Sequence, residues 1–247
     1  MTSEFRACVV VPTYNNARTL SGVVEGLLSL GTPVIVVDDG ATDGTREVLS
    51  GLLARAAQGV LTVGRHLENR GKAAALLTGF GMAREAGFTH ALTFDSDGQM
   101  SIADVPRLLD AARAEPGAYV LGYRRLDIPG YPAKNRLGRA LSNGAIFLEC
   151  GRRVEDSQCG LRVYPLDLPE RARCRSGRFG FEAEILTRGA WLGYPFVQVP
   201  IECAYEVREG RVTHYRPGMD TWRGLRLHAG LLARSPWRRL RRAFGQR

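Results

Sequence analysis

Lysine is almost missing from this 247-residue chain: of 34 basic residues only Lys72 and Lys134 are lysines, and the rest are arginines. A bias of that strength points to arginine-rich codon usage, so most arginines read as ordinary surface charge. Against that bias the two surviving lysines are worth locating. Cysteine is sparse and unpatterned: Cys8, Cys150, Cys159, Cys174 and Cys203 form no CxxC pair. An odd, scattered set excludes a disulfide framework and a zinc ribbon, and predicts reduced thiols in the cytoplasm. Long apolar runs are also absent, none approaching the roughly 18 residues of a membrane-crossing helix. The opening "MTSEFRACVVVPTYNN" has no basic start followed by an apolar core, so no secretion signal is expected there. These absences predict a cytoplasmic protein that at most rests on the inner face of a membrane.

What is present is an ordinary globular composition, 45% hydrophobic and 24% charged, with a net charge of +9 that suits an anionic partner. The apolar runs "ACVVVPTYNN", "TPVIVVDDG", "GVLTVGRH", "HALTFDSDG" and "AYVLGYRR" read as buried strands. Segments of helical period separate them, among them 19–30, "TREVLSGLLARAA", "KAAALLTGFGMAREAG" and "IADVPRLLDAARAE". Alternation of this kind predicts an α/β fold, a mostly parallel sheet with helices on both faces. Beyond Arg125 a Pro/Gly loop precedes a helix, and "CGLRVYPLDL", "FGFEAEILTRGAWLG" and "FVQVPIECAYEV" read as strand, helix and strand. With no repeat or linker, residues 1–220 read as one domain and 221–247 as a basic helical tail.

Two strands end in carboxylates: Asp38-Asp39-Gly40, and then Asp95-Ser96-Asp97 with Gln99. In open parallel sheets ligands gather at the carboxyl ends of strands, so both clusters are expected at one crevice. Asp-Gly alone also makes a simple turn. Asp95 and Asp97 at alternate positions repel unless something positive lies between them. Their hard oxygens, with Gln99, suit Mg²⁺ or Mn²⁺, a metal that typically completes its shell with water and substrate phosphates.

The segments "VVVPTYNNARTL", "VIVVDDGATDGT", "ENRGKAAALLTGF", "FDSDGQ", "DSQCGLRVY" and "FGFEAEIL" together resemble the family 2 inverting glycosyltransferases, in the branch of polyprenyl (dolichol) phosphate mannose and glucose synthases. The resemblance implies the GT-A nucleotide-diphosphosugar transferase fold. It also implies a nucleotide pocket of Pro12, Tyr14, Asn15, Asp39, Asn69, Gly71, Lys72 and Asp95. Asp97 and Gln99 are then the metal ligands. Arg124, Lys134, Arg139 and Ser142 then stand where the phosphate synthases bind their lipid phosphate, Arg124 as a catalytic group. The implied donor is a UDP- or GDP-sugar, the acceptor a membrane lipid, either a polyprenyl phosphate or a lipid hydroxyl.

In an inverting transfer, negative charge builds on the departing diphosphate, so cations aimed at it are the main catalysts. A phosphate acceptor, with a second pKa of about 6, needs no base at neutral pH. A hydroxyl acceptor does, and Asp156 and Glu182 are the candidates, each equally suited to orienting Arg162 or capping backbone. Where the phosphate synthases tend to carry Ser-Lys, "RVTHYRP" has Thr213-His214, with Arg211 and His214 as candidate diphosphate contacts. In "RSPWRRLRRAFGQR", Ser235 and Pro236 suit a helix start, and Trp237, Leu240 and Phe244 share a face among arginines. That pattern reads as a peripheral anchor to anionic lipid. Among rival readings, a sugar nucleotidyltransferase needs an N-terminal glycine-rich loop, yet no glycine precedes Gly22. A non-catalytic anionic-surface or nucleic-acid binder would exploit the charge, but strand-end carboxylates repel phosphates, so no nucleic acid is expected.

Overall fold

The computed structural model describes residues 4–125, 133–177, 180–202 and 218–244, with the side chains of 133–135, 219–221 and 236–244 excepted. The chain alternates β1 (Ala7–Thr13), α1 (Ala17–Ser29), β2 (Val34–Asp38), α2 (Thr45–Arg55), β3 (Leu61–Arg65), α3 (Lys72–Glu85) and β4 (His90–Thr93). A 3₁₀ turn at Ile102–Asp104 leads into α4 (Val105–Ala114), then β5 (Tyr119–Arg124) and α5 (Ala133–Cys150). There follow β6 (Arg162–Pro165), α6 (Asp167–Ala172), α7 (Gly180–Leu192), β7 (Phe196–Ile201) and α8 (Met219–Phe244).

The strands form one sheet in the order β3-β2-β1-β4-β6-β5-β7. Their β-branched runs are buried on both faces, as an interior parallel sheet requires. Val9, Val11, Val34 and Val36 face α1, α2 and α4, while Val10, Ile35 and Val37 face α3 and α7. Helix α1 turns Leu20, Val23, Val24 and Leu27 inward at helical spacing. Each such side chain contributes about 1.5–3 kcal/mol when fully buried. A charge at Val36, fully buried between the strands and α1, would break this layer.

The sequence does not reveal that β6 runs antiparallel to both β4 and β5. That reversal decides the site. Because Arg162 pairs with Thr93, the segment entering β6 lies at the same edge as the segment leaving β4. Strands β1 to β5 and β7 are mutually parallel through the sheet. The loops after β1, β2, β3, β4 and β5 therefore meet the loop before β6 along one edge.

Candidate active site

At the end of β2 the two aspartates divide the work. Asp38 is fully buried and its Oδ1 accepts the N–H of Ala41, closing the turn beneath the strand. Asp39 points the other way: its Oδ1 accepts the N–H of Arg70 at 2.9 Å and its Oδ2 the N–H of Gly71 at 2.7 Å. A third donor is His66 Nδ1, 2.6 Å from Oδ1, and its Nε2 lies 2.9 Å from Thr78 Oγ1 on α3. Gly40, at φ +71°, completes the arrangement, since a Cβ there would run into the backbone of Glu68 and Asn69. Asp39 thus fastens the turn that starts α3, and with it Lys72.

The first loop is fixed in the same way. Asn15 adopts φ +52°, a conformation asparagine tolerates, and its Oδ1 accepts the N–H of Thr42 at 2.8 Å. Asn16 Nδ2 donates to Ser96 Oγ at 2.9 Å, and Thr19 Oγ1 donates to the Ser96 carbonyl at 2.6 Å. Asp43 accepts the N–H of Ala17 and of Thr45, joining α1 to α2. Three strand-end loops therefore form one hydrogen-bonded rim. Pro12 is buried in β1, Tyr14 is half-buried beside it, and Asn69 is exposed.

In the acidic segment after β4, a cation stands beside the first aspartate. Lys72 Nζ is 2.7 Å from Asp95 Oδ1 and 2.9 Å from Glu182 Oε1, which comes from the first turn of α7. Asp97 is half-buried and its Oδ1 accepts the N–H of Gln99 at 3.0 Å, a tight turn that sets both side chains on the segment. Gly160 lies against this group: a Cβ there would be 2.8 Å from Asp95 Oδ2 and 3.1 Å from Lys72 Nζ. Thr93 Oγ1 holds the Gly160 carbonyl at 2.6 Å. Beneath, the fully buried Arg162 donates to the carbonyls of Cys159, Ser157 and Glu182 and to Tyr119 Oη. One guanidinium thus shapes both the loop before β6 and the start of α7.

The family model described as glycosyl transferase family 2 matches residues 8–163. The chain belongs to glycosyltransferase family 2. It is 28% identical over 250 residues to the undecaprenyl-phosphate mannosyltransferase of Micrococcus luteus, covering 92% of this chain and all of that one. It is 30% identical over 209 residues to the polyprenol monophosphomannose synthase of Mycolicibacterium smegmatis, covering 79% and 76%. Among solved structures it resembles glucosyl-3-phosphoglycerate synthase of Mycobacterium tuberculosis in complex with Mn²⁺ and UDP-glucose. That likeness has a TM-score of 0.67 at 20% identity, covers 95% of this chain and 80% of that one, and establishes the GT-A-like fold. The protein is an enzyme, a glycosyltransferase that draws on a nucleotide-sugar.

Around Arg124 the structure departs from the sequence-based expectation in two places. Asp156 is inaccessible: Arg124 grips it in a two-pronged pair at 2.6 and 3.0 Å, and Arg139 stands 3.5 Å away. A fully buried carboxylate held by two guanidiniums is not a general base, and its partners are Arg124 and Arg139 rather than Arg162. Arg139, itself buried, donates to the carbonyls of Glu155 and Arg124 at 2.6 Å each. It braces the Arg124 strand end from within instead of reaching an acceptor phosphate. Ser142 is half-buried with its Oγ 2.8 Å from Ser157 Oγ, and Arg124 remains about one-fifth exposed at the edge. The Lys134 side chain, Arg211 and His214 lie outside the described residues.

His66, Ser96 and Gly160 were missed by sequence reasoning. His66 carried a signal, since it follows β3 as Asp39 follows β2. Gly160 carried none, because only the reversed β6 brings it to Asp95. As to metal, no group of three or more His, Cys, Asp or Glu side chains converges among the described residues. With Asp95 taken by Lys72, the oxygens of Asp97 and Gln99 are hard donors of the kind that suits Mg²⁺ or Mn²⁺, whose remaining ligands are ordinarily diphosphate and water.

Proposed function

We propose that this enzyme transfers a sugar, with inversion, from a UDP- or GDP-sugar to the phosphate of a polyprenyl-type lipid at the cytoplasmic face of the membrane. Residues 1–220 are the catalytic unit in this reading. Asp39, buried on its three protein donors, serves the nucleotide from behind by setting the 69–71 turn against the base and ribose, with Tyr14, Asn15 and Asn69 lining the pocket. Asp97 and Gln99 hold Mg²⁺ or Mn²⁺, which when bound neutralises charge on the diphosphate. Lys72 carries a fixed positive charge to the same place, and Arg124 faces the incoming acceptor.

One observation supports a phosphate acceptor over a hydroxyl: neither base candidate is available as a base. Asp156 is buried between Arg124 and Arg139, and Glu182 is paired with Lys72. A lipid phosphate is already anionic at neutral pH, so cations suffice. Relatives named for undecaprenyl-phosphate and polyprenol acceptors agree with this reading. The test is a panel of UDP- and GDP-sugars with Mg²⁺ or Mn²⁺, offered polyprenyl phosphate in one arm and the matching polyprenol in the other. Turnover is expected with the phosphate alone and lost in Asp97→Ala. Turnover with the alcohol would reject the acceptor, and activity in Asp97→Ala would reject the metal site.

A further inference from the structure

Helix α5 is inverted relative to a water-facing helix. Its inward side buries Arg139, Ile146 and Glu149, while Leu137, Leu141 and Leu148 stand outside at 64%, 67% and 59% exposure. Spacings of four and seven residues set these leucines in one stripe. On α8, Leu231 and Ser235 are buried whereas Trp222 and Leu225 are 61% and 65% exposed. Isolated apolar residues on a surface mean little, but two adjoining helices that both show leucine outward mark a docking face.

Helices α5 and α8 pack against each other and against α7. Glu149 is the point they share: its carboxylate meets His228 Nδ1 and Thr187 Oγ1 at 2.6 Å each. Its backbone carbonyl accepts from Trp191 Nε1 at 3.0 Å and from Ser235 Oγ at 2.5 Å. Two of these four hydrogen bonds, from His228 and Ser235, fasten α8 to the buried Glu149, and the other two come from α7. Leu141 lies about two turns before Glu149 on α5, and Leu225 lies about one turn before His228 on α8.

We propose that the outward faces of α5 and α8 together dock this enzyme on an anionic lipid bilayer. Charge selects that occupant. Arg136, Arg223, Arg226 and Arg234 are exposed on the same helices, and the Arg226 guanidinium lies 5.5 Å over the Trp222 ring. The acidic residues of the two helices are only Glu149, which is buried, and Asp220. Two copies of so basic a face repel each other, whereas anionic headgroups complement it. A tryptophan and leucines at the depth of the headgroups, flanked by arginines, is the composition of an interfacial helix. The inference takes its purpose from the proposed lipid acceptor, since α5 also carries Ser142 near Arg124, but the surface is argued from α5 and α8 alone. Residues 238–242 lie further along α8 and form no part of the proposed face.

The test is flotation of the full chain with phosphatidylcholine vesicles, with and without phosphatidylglycerol. Wild type is expected to float with the anionic vesicles and to dissociate as salt rises. Leu141→Glu with Trp222→Glu should weaken binding by more than about tenfold, and Arg223→Gln with Arg226→Gln by about tenfold or more, at roughly fivefold per arginine. Nucleotide binding by calorimetry should stay unchanged in both, which separates this outcome from misfolding and from failure of the transferase reading. Vesicle binding untouched by these variants overturns the proposal, as does binding abolished only by replacing Arg238, Arg239, Arg241 and Arg242 with Gln. A dimer in solution that the Glu variants dissociate also overturns it.

Discussion

Lys72 Nζ sits 2.7 Å from Asp95 Oδ1, so the first aspartate of the acidic segment is already neutralised by a side chain that Asp39 positions from another strand. Burial alone would push the ammonium down, but the charges of Asp95 and Glu182 outweigh it and hold its pKa above the ordinary lysine value. A raised pKa means the stabilisation is complete below the unfolded value of about 10.4 and fades only as pH climbs through the folded one. Stability from this contact is therefore flat across the neutral range. Lys72→Met leaves two carboxylates facing each other and should cost about 1–2 kcal/mol in urea melts, discounted for the partial exposure of the group. Turnover should fall by about 100-fold or more, as on removal of a single donor from a charge-stabilising site. Lys72→Arg should restore stability but not full turnover, because a planar fork cannot occupy the place of a point charge. Unchanged kcat in Lys72→Met would remove Lys72 from the machinery.

Gly160 has a φ that any residue adopts, so its requirement is one of space. Gly160→Ala drives a methyl into Asp95 Oδ2 and Lys72 Nζ, and the carboxylate must swing away. A steric insertion of this size typically costs about 1–3 kcal/mol. The expected outcome is a small loss of thermal stability and a fall in kcat of about tenfold or more, since reacting groups tolerate little displacement. A variant with wild-type kcat would show that Asp95 has room the structure does not display.

Glu184 gives a pH signature of its own. Its Oε2 accepts the N–H of Arg175 at 2.9 Å and of Ser176 at 2.7 Å, and its Oε1 meets Arg188 Nε at 2.6 Å. Burial by itself raises its pKa, but the backbone donors and Arg188 prevail and hold it below the usual carboxylate range. A depressed pKa contributes stability that is present above the unfolded value of about 4.3 and is lost as pH falls through the folded value. Glu184→Gln should therefore cost about 1–3 kcal/mol at pH 7, with the gap to wild type closing in acid. Urea melts at neutral pH and below pH 4 check this. A gap of equal size at both would mean that packing, not charge, is what Glu184 supplies.

The layers of the fold were legible because β-branched runs and helical spacing are local signals, and β1 to β5 with α1 to α4 fall where those signals lie. The short α6 and the direction of β6 were not, since six residues carry little periodicity and strand direction is set by what the neighbours leave unpaired. The same limit governs the site. Asp39, Lys72, Asp95 and Asp97 could be picked out because carboxylates at strand ends and a solitary lysine are chemically conspicuous in a linear string. That Asp156 would be enclosed by Arg124 and Arg139 could not, because burial depends on β6 turning back along β4. At the other end of the chain, Ser235 and Pro236 read as a helix start, yet α8 runs unbroken from Met219 through both, and Ser235 is held by the Glu149 carbonyl instead.

His66 is the least obvious member of the site and offers the sharpest division between affinity and rate. It donates nothing to a ligand directly: its ring lies buried between Asp39 and Thr78. What it fixes is the rotamer of Asp39, and through Asp39 the N–H groups of Arg70 and Gly71. His66→Ala leaves a cavity and a carboxylate with one donor fewer, so the loop 69–71 loosens. In the proposed reading that loop borders the nucleotide rather than the reacting carbon, so KM for the nucleotide-sugar should rise by about tenfold while kcat stays within about twofold, the pattern of lost uniform binding. His66→Asn keeps an N–H near the position of Nδ1 and should recover most of the affinity, although it cannot reach Thr78. If His66→Ala instead lowers kcat at unchanged KM, Asp39 acts on the transferring group itself, and its place beside the nucleotide must be given up.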